Sequence, residues 1–209
     1  NYQSLKGERL FREAEFYFVT RRFELAETGF RRVIAGFPGN KVEPDILETA
    51  LRRNLAIYAR IKRDPHEGAA RMKEALTNEK LPKYLQKNVT AWLGAFNRWA
   101  KASRFDVEKA SSKEVLKFAK NELKTNLWDK MIDAGNPKVV DFLRVSGIIY
   151  EYLYQHPKDK NTAEMLLMLA KCERQLNNEF FFSLSDLYLR ECIVKHSKDP
   201  AAKKCFAEY

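Results

Sequence analysis

Apolar residues recur along this chain at intervals of three and four, and the runs they form are separated by short polar or proline-containing breaks. Leu10, Ala14 and Tyr17 share one face of a helix predicted over 5–19. Thr20-Arg21-Arg22-Phe23 interrupts it. Ala26, Phe30 and Val33 then line a second helix over 24–37, and Gly36-Phe37-Pro38-Gly39-Asn40 stops that one. Asp45, with Glu48 three residues on, predicts the cap of a third helix reaching Lys62, whose stripe is Leu51, Leu55, Ala56 and Ala59. Asp64-Pro65 restarts the chain as N-cap and first helical residue of a short helix to Thr77.

The next segment, 82–102, carries Tyr84, Leu85, Val89, Trp92, Leu93, Phe96 and Trp99, a wide aromatic stripe that reads as core packing before it reads as a ligand platform. The polar stretch 104–112 divides an N-terminal half, 1–104, from a C-terminal half, 105–209, or else joins them within one continuous domain. Ser112 predicts the cap of a helix to Ala134, closed by Gly135-Asn136-Pro137. Further helices are predicted over 138–155, 161–177 and 179–196, with a short last one from Pro200. The expected class is all-α, with nine or ten helices in antiparallel pairs.

The order in the first pair is large, small, aromatic, turn, then small, aromatic, aliphatic, proline. Over Leu10 to Pro38 this resembles a tetratricopeptide repeat. Leu55, Ala56, Ala59, Gly68, Met72 and Ala75 form a degenerate second copy. Leu166, Leu169, Ala170, Ser185, Leu189 and Cys192 form a third, with about three extra residues at 177–182. His156-Pro157-Lys158-Asp159 is echoed forty residues later by His196-Ser197-Lys198-Asp199. The opening unit is also similar to hairpins of bacterial extracytoplasmic repeat proteins, which implies a periplasmic setting; a cytoplasmic one is the alternative.

The resemblance implies a right-handed superhelix whose first helices line a concave groove. Carried onto this chain, its floor comes from Phe11, Glu15 and Phe18, then Arg53, Ile57 and Arg60, then Lys171 and Arg174. Apolar anchors mixed with arginine suit a peptide or protein partner of acidic character. In the stacked arrangement Cys192 and Cys205 lie on adjacent helices. A bond between them would staple the last helix; the alternative is three buried free thiols, Cys172 included.

Charge adds a second reading. Of the net +10, residues 1–104 contribute 21 Lys and Arg against 12 Asp and Glu, whereas residues 105–209 are nearly balanced, 17 against 16. Arg21, Arg22, Arg31, Arg32, Arg52 and Arg63 form a candidate patch for an anionic ligand: nucleic acid, anionic lipid or glycan. The plainer reading is a solvated basic face.

Catalytic signals are missing from the sequence. There is no glycine-rich phosphate loop, no nucleophile elbow and no Cys-x-x-Cys, and His66, His156 and His196 stand at helix boundaries outside any metal-spaced cluster. Glu8 with Arg12 and Glu67 with Arg71 read as surface pairs. The expectation is a non-enzymatic interaction module with no cofactor and no metal. No apolar run approaches the length needed to cross a bilayer.

Overall fold

A computed structural model describes residues 2–36, 43–123 and 132–209, with side chains from Lys6 onward. Among the described residues the chain is all-α. Its helices are α1 (Tyr2–Val19), α2 (Phe23–Ala35), α3 (Pro44–Ala56), α4 (Pro65–Ala75), α5 (Lys83–Lys101), α6 (Ser112–Leu123), α7 (Lys138–Gln155), α8 (Thr162–Phe180), α9 (Ser185–Lys195) and α10 (Pro200–Glu208). A π-helical segment, Ile57–Lys62, prolongs α3. No helix is long and apolar enough to cross a membrane, among the described residues.

Local chemistry accounts for several of the boundaries. α1 ends in a Schellman turn: Arg22 N–H donates to the Tyr17 carbonyl (2.8 Å) and Arg21 N–H to that of Phe18 (3.1 Å), with Arg21 left-handed at φ 60°. Asp64 caps α4 as expected, accepting from the amides of His66 and Glu67, and Pro65 follows at the first helical position. Two expected caps shift by a residue or two. Glu43 precedes α3 and makes no side-chain cap bond, because Pro44 starts the helix and moves Asp45 into its first turn. Ser111, not Ser112, caps α6: its N–H and hydroxyl both donate to Glu114 at 2.7 Å. α6 is described to Leu123; residues 124–131 of the helix expected to reach Ala134 lie outside the described residues, and 132–134 are not helical. Pro38 also lies outside them.

The echoed tetrapeptides make the same turn twice. Asp159 N–H donates to the His156 carbonyl (3.1 Å) and Asp199 N–H to that of His196 (2.8 Å). Each aspartate then accepts the amide two residues on, Asn161 N–H at 2.8 Å and Ala201 N–H at 2.7 Å.

Consecutive helices pack as neighbours: α1 with α2, α4 with α5, α6 with α7, α8 with α9 and α9 with α10. Ala14, Ala26, Phe30 and Val33 are buried in the first pair. A Cβ on Gly29 would fall 2.7 Å from that of Ala14, so the α1–α2 crossing depends on a bare backbone there. The two halves do not merely follow one another, however. α8 packs on α3, and α7 packs on α3, α5 and the π segment. Gly147 is what lets α7 approach: a Cβ there would lie 2.4 Å from the Arg60 carbonyl oxygen. One apolar cluster therefore runs from Ala14 to Cys205. Contacts between neighbours alone do not produce such closure.

Cys192 and Cys205 are joined by a disulfide, thirteen residues apart, which ties α10 to α9. Cys172 is a buried free thiol, and burial, with Glu173 beside it, pushes its pKa well above the ordinary value. Closing a loop of this length restricts the unfolded chain by about 3 kcal/mol. Cys192→Ala/Cys205→Ala is accordingly expected to melt lower than the wild type without reductant, and reductant is expected to lower the wild type to match; indifference to reductant would contradict this.

Candidate functional site

The arginines of α3 and the π segment converge on one strip of the chain. Three successive aromatics at the end of α8 and just beyond it, Phe180, Phe181 and Phe182, each lie beneath a different guanidinium. Arg52 stands 5.6 Å from the Phe180 ring, Arg60 4.2 Å from Phe181 and Arg53 5.5 Å from Phe182. Polar contacts lock the same strip. Glu179 pairs with Arg52 at 2.9 Å, and the Asn178 carbonyl accepts from Arg53 Nη1 at 3.2 Å. Arg53 also bonds Glu15 of α1 at 3.1 Å.

Arg60 and Glu173 lie deepest, with side chains 5% and 1% exposed and 2.6 Å between Nη2 and Oε1. The second Glu173 oxygen accepts the Leu184 amide at 2.6 Å, so one carboxylate holds both the arginine and the entry to α9. Among the described residues, Arg60 Nη1 has no acceptor within hydrogen-bond distance. The strip turns out of α8 at Asn177, whose φ of 51° and ψ of −163° fall in a region that suits glycine and costs other residues about 1–3 kcal/mol. The clamp offsets that cost.

This arrangement corrects the expected groove. Phe18, Ile57 and Arg60 are buried and form no open floor; Phe18 packs edge-on against Phe181 at 5.4 Å and lies 5.6 Å from Phe182. Phe11 is half-buried against Phe30, and Glu15 and Arg53 are paired with each other. Lys171 and Arg174 lie elsewhere, both on Glu208 of α10. An aromatic segment bearing an acid does occupy the arginine face, but that segment, the end of α8 and the residues just after it, belongs to the chain itself. The structural reason is the extra residues at 177–182: too long to close a tight turn, they fold back onto α3. Three adjacent phenylalanines cannot share one helix face, and that break in period is the signal that could have located the clamp.

The six arginines of the candidate anionic patch separate into two kinds. Arg31 pairs with Glu74 at 3.1 Å, Arg52 with Glu48 and Glu179, and Arg63 with Glu151 on α7. Neighbouring carboxylates thus neutralise these three. Arg21 and Arg22, on the turn before α2, are exposed and have no ion pair among the described residues; Arg32, on α2, is exposed but has an interaction of its own. A second charged network lies close by: burial works against the Glu27 carboxylate, but hydrogen bonds from Lys62 and Tyr58 outweigh it and hold its pKa below the usual range. Among the described residues, no group of three His, Cys, Asp or Glu side chains is spaced to hold a metal ion.

Away from the clamp, large apolar side chains face outward on the last helices. Tyr150 and Tyr154 lie on α7, Leu187 and Val194 on α9, and Phe206 on α10; Tyr154 is 79% and Val194 76% exposed. Comparison with protein-family models, with curated proteins and with solved structures finds no significant match.

Proposed function

We propose that this protein is a non-enzymatic helical-repeat module, tetratricopeptide-like, that holds a peptide or protein partner and serves in assembly. The observation that carries the reading is the outward row on α7 and α9. Tyr150 and Tyr154, four apart, share one helix face; Leu187 and Val194, seven apart, share another. Isolated exposed apolar residues are ordinary, but apolar side chains that recur on one face of a helix, on two helices of the same half of the chain, are the composition of an interface. The exposed Lys158 and Lys198 close to these helix ends suit a partner of acidic character. The close packing of Ala14 against Gly29 and the repeated His-to-Asp turn support the repeat reading. The Cys192–Cys205 bond supports an oxidising, extracytoplasmic setting.

A photo-crosslinking residue at position 154, introduced in the native host, is expected to trap one defined partner that a probe at Lys117 on α6 does not. Tyr154→Ala/Val194→Asp is expected to weaken that partner's binding by about thirtyfold, as loss of an interface hot spot does, with no change in melting. Binding unchanged by this double substitution would remove the proposed surface.

A further inference from the structure

Beyond partner binding, we infer that the tip of the α1–α2 hairpin is a docking element for an anionic lipid surface. Within about one helical turn of the connection, three large apolar side chains point into solvent: Phe16 (59% exposed), Val19 (57%) and Leu25 (49%). Between them stand Arg21 and Arg22, exposed and, among the described residues, with no side-chain ion pair. The solvent face of α1 continues the positive charge through exposed Arg9. Glu13 and Glu24 are the exposed acids here, and Glu13 is engaged by the Tyr17 hydroxyl at 3.4 Å.

The backbone makes Arg21 informative. It occupies the left-handed position of the Schellman turn, where glycine is sterically cheapest. A long cation is held at the apex at a conformational cost that its own side chain does not offset, since among the described residues it has no ion pair.

Charge and shape select the occupant. A convex tip with three apolar side chains offers far less than the roughly 800 Å² per partner of a stable protein interface. Shallow insertion among lipid headgroups needs no such area: aliphatic side chains enter the acyl boundary while arginines meet phosphate. Of the three apolar side chains only Phe16 has a ring on which a base could stack, and Val19 and Leu25 are aliphatic, which favours lipid over nucleic acid.

The test is co-sedimentation with phosphatidylcholine vesicles, with and without phosphatidylglycerol, alongside a single-stranded oligonucleotide. The wild type is expected to pellet with the anionic vesicles alone, more strongly at low salt. Arg21→Gly/Arg22→Ser is expected to reduce partition about thirtyfold, from two surface cations. Because Arg21→Gly relieves the left-handed backbone, the variant's melting temperature is expected to be unchanged or higher, which separates this loss from misfolding. Phe16→Ser/Val19→Ser/Leu25→Ser is expected to lose binding at physiological salt. Failure of the wild type to pellet, or pelleting of either variant as the wild type does, would overturn the inference. So would loss of oligonucleotide binding by the arginine variant with vesicle binding intact. Tyr154→Ala/Val194→Asp is expected to pellet as the wild type does.

Discussion

Arg60→Ala is expected to destabilise the whole chain by about 3–5 kcal/mol, because it leaves the Glu173 carboxylate charged and buried without its partner. For a chain of this size that is a melting temperature lower by roughly 10 °C or more. The Coulombic attraction of the pair is not itself the source of stability. Two charges with side chains 5% and 1% exposed have given up nearly all their hydration, and among the described residues Arg60 Nη1 recovers no acceptor in return. What the pair supplies is register. Glu173 on α8 accepts from Arg60 on the π segment and from the Leu184 amide that opens α9, so one carboxylate fixes three elements. Replacing both charges by apolar residues of similar volume, Arg60→Met/Glu173→Met, is therefore expected to recover much of the loss seen with Arg60→Ala. Urea denaturation of the single and double variants measures this. A single variant within about 1 kcal/mol of wild type would show that water, not Arg60, satisfies Glu173.

Phe18→Ala is expected to cost about 3–5 kcal/mol, the loss typical of a buried phenylalanine. Phe18 is fully buried and touches both halves of the chain: Phe23 and Phe30 in its own hairpin, Phe181 and Phe182 from beyond α8, and the Arg53 guanidinium at 5.0 Å. Its removal takes apolar backing from the clamp at the place where Asn177 is already strained. The loss is expected to be local as well as global, with amide exchange and proteolysis rising first at 178–184. Phe16→Ser, two residues away but solvent-facing, is expected to change stability by less than about 0.5 kcal/mol. Equal effects at 16 and 18 would refute this burial pattern. It follows that Phe18→Asp, attractive as a groove-directed change if position 18 faced a partner, unfolds the hairpin and says nothing about binding.

The periodic stripes on α1, α2, α3 and α5 were legible from residue order because an amphipathic helix repeats its own core face every three or four positions. So were the Asp64-Pro65 start and the paired His-to-Asp turns, each of which is set by side chains within a few residues of the bonds they make. The cap before α6 was misplaced by one residue, Ser111 for Ser112, since adjacent serines offer the same chemistry and only the Glu114 contact distinguishes them.

The clamp was not legible. Arg53, Ile57 and Arg60 share a face of α3 and its π extension whether or not anything covers it, and nothing within ten residues of them says which. Their cover comes from more than a hundred residues along the chain, where Arg60 meets Glu173 and Arg53 meets Asn178. Residue order alone determined the helices, their apolar faces and the basic bias of the first half, because these are short-range properties. Which of those faces stayed open was decided only when α7 and α8 closed onto α3. Burial is a property of what arrives from elsewhere, and the Arg60 and Phe18 sites became interior while the turn carrying Arg21 and Arg22 remained outside.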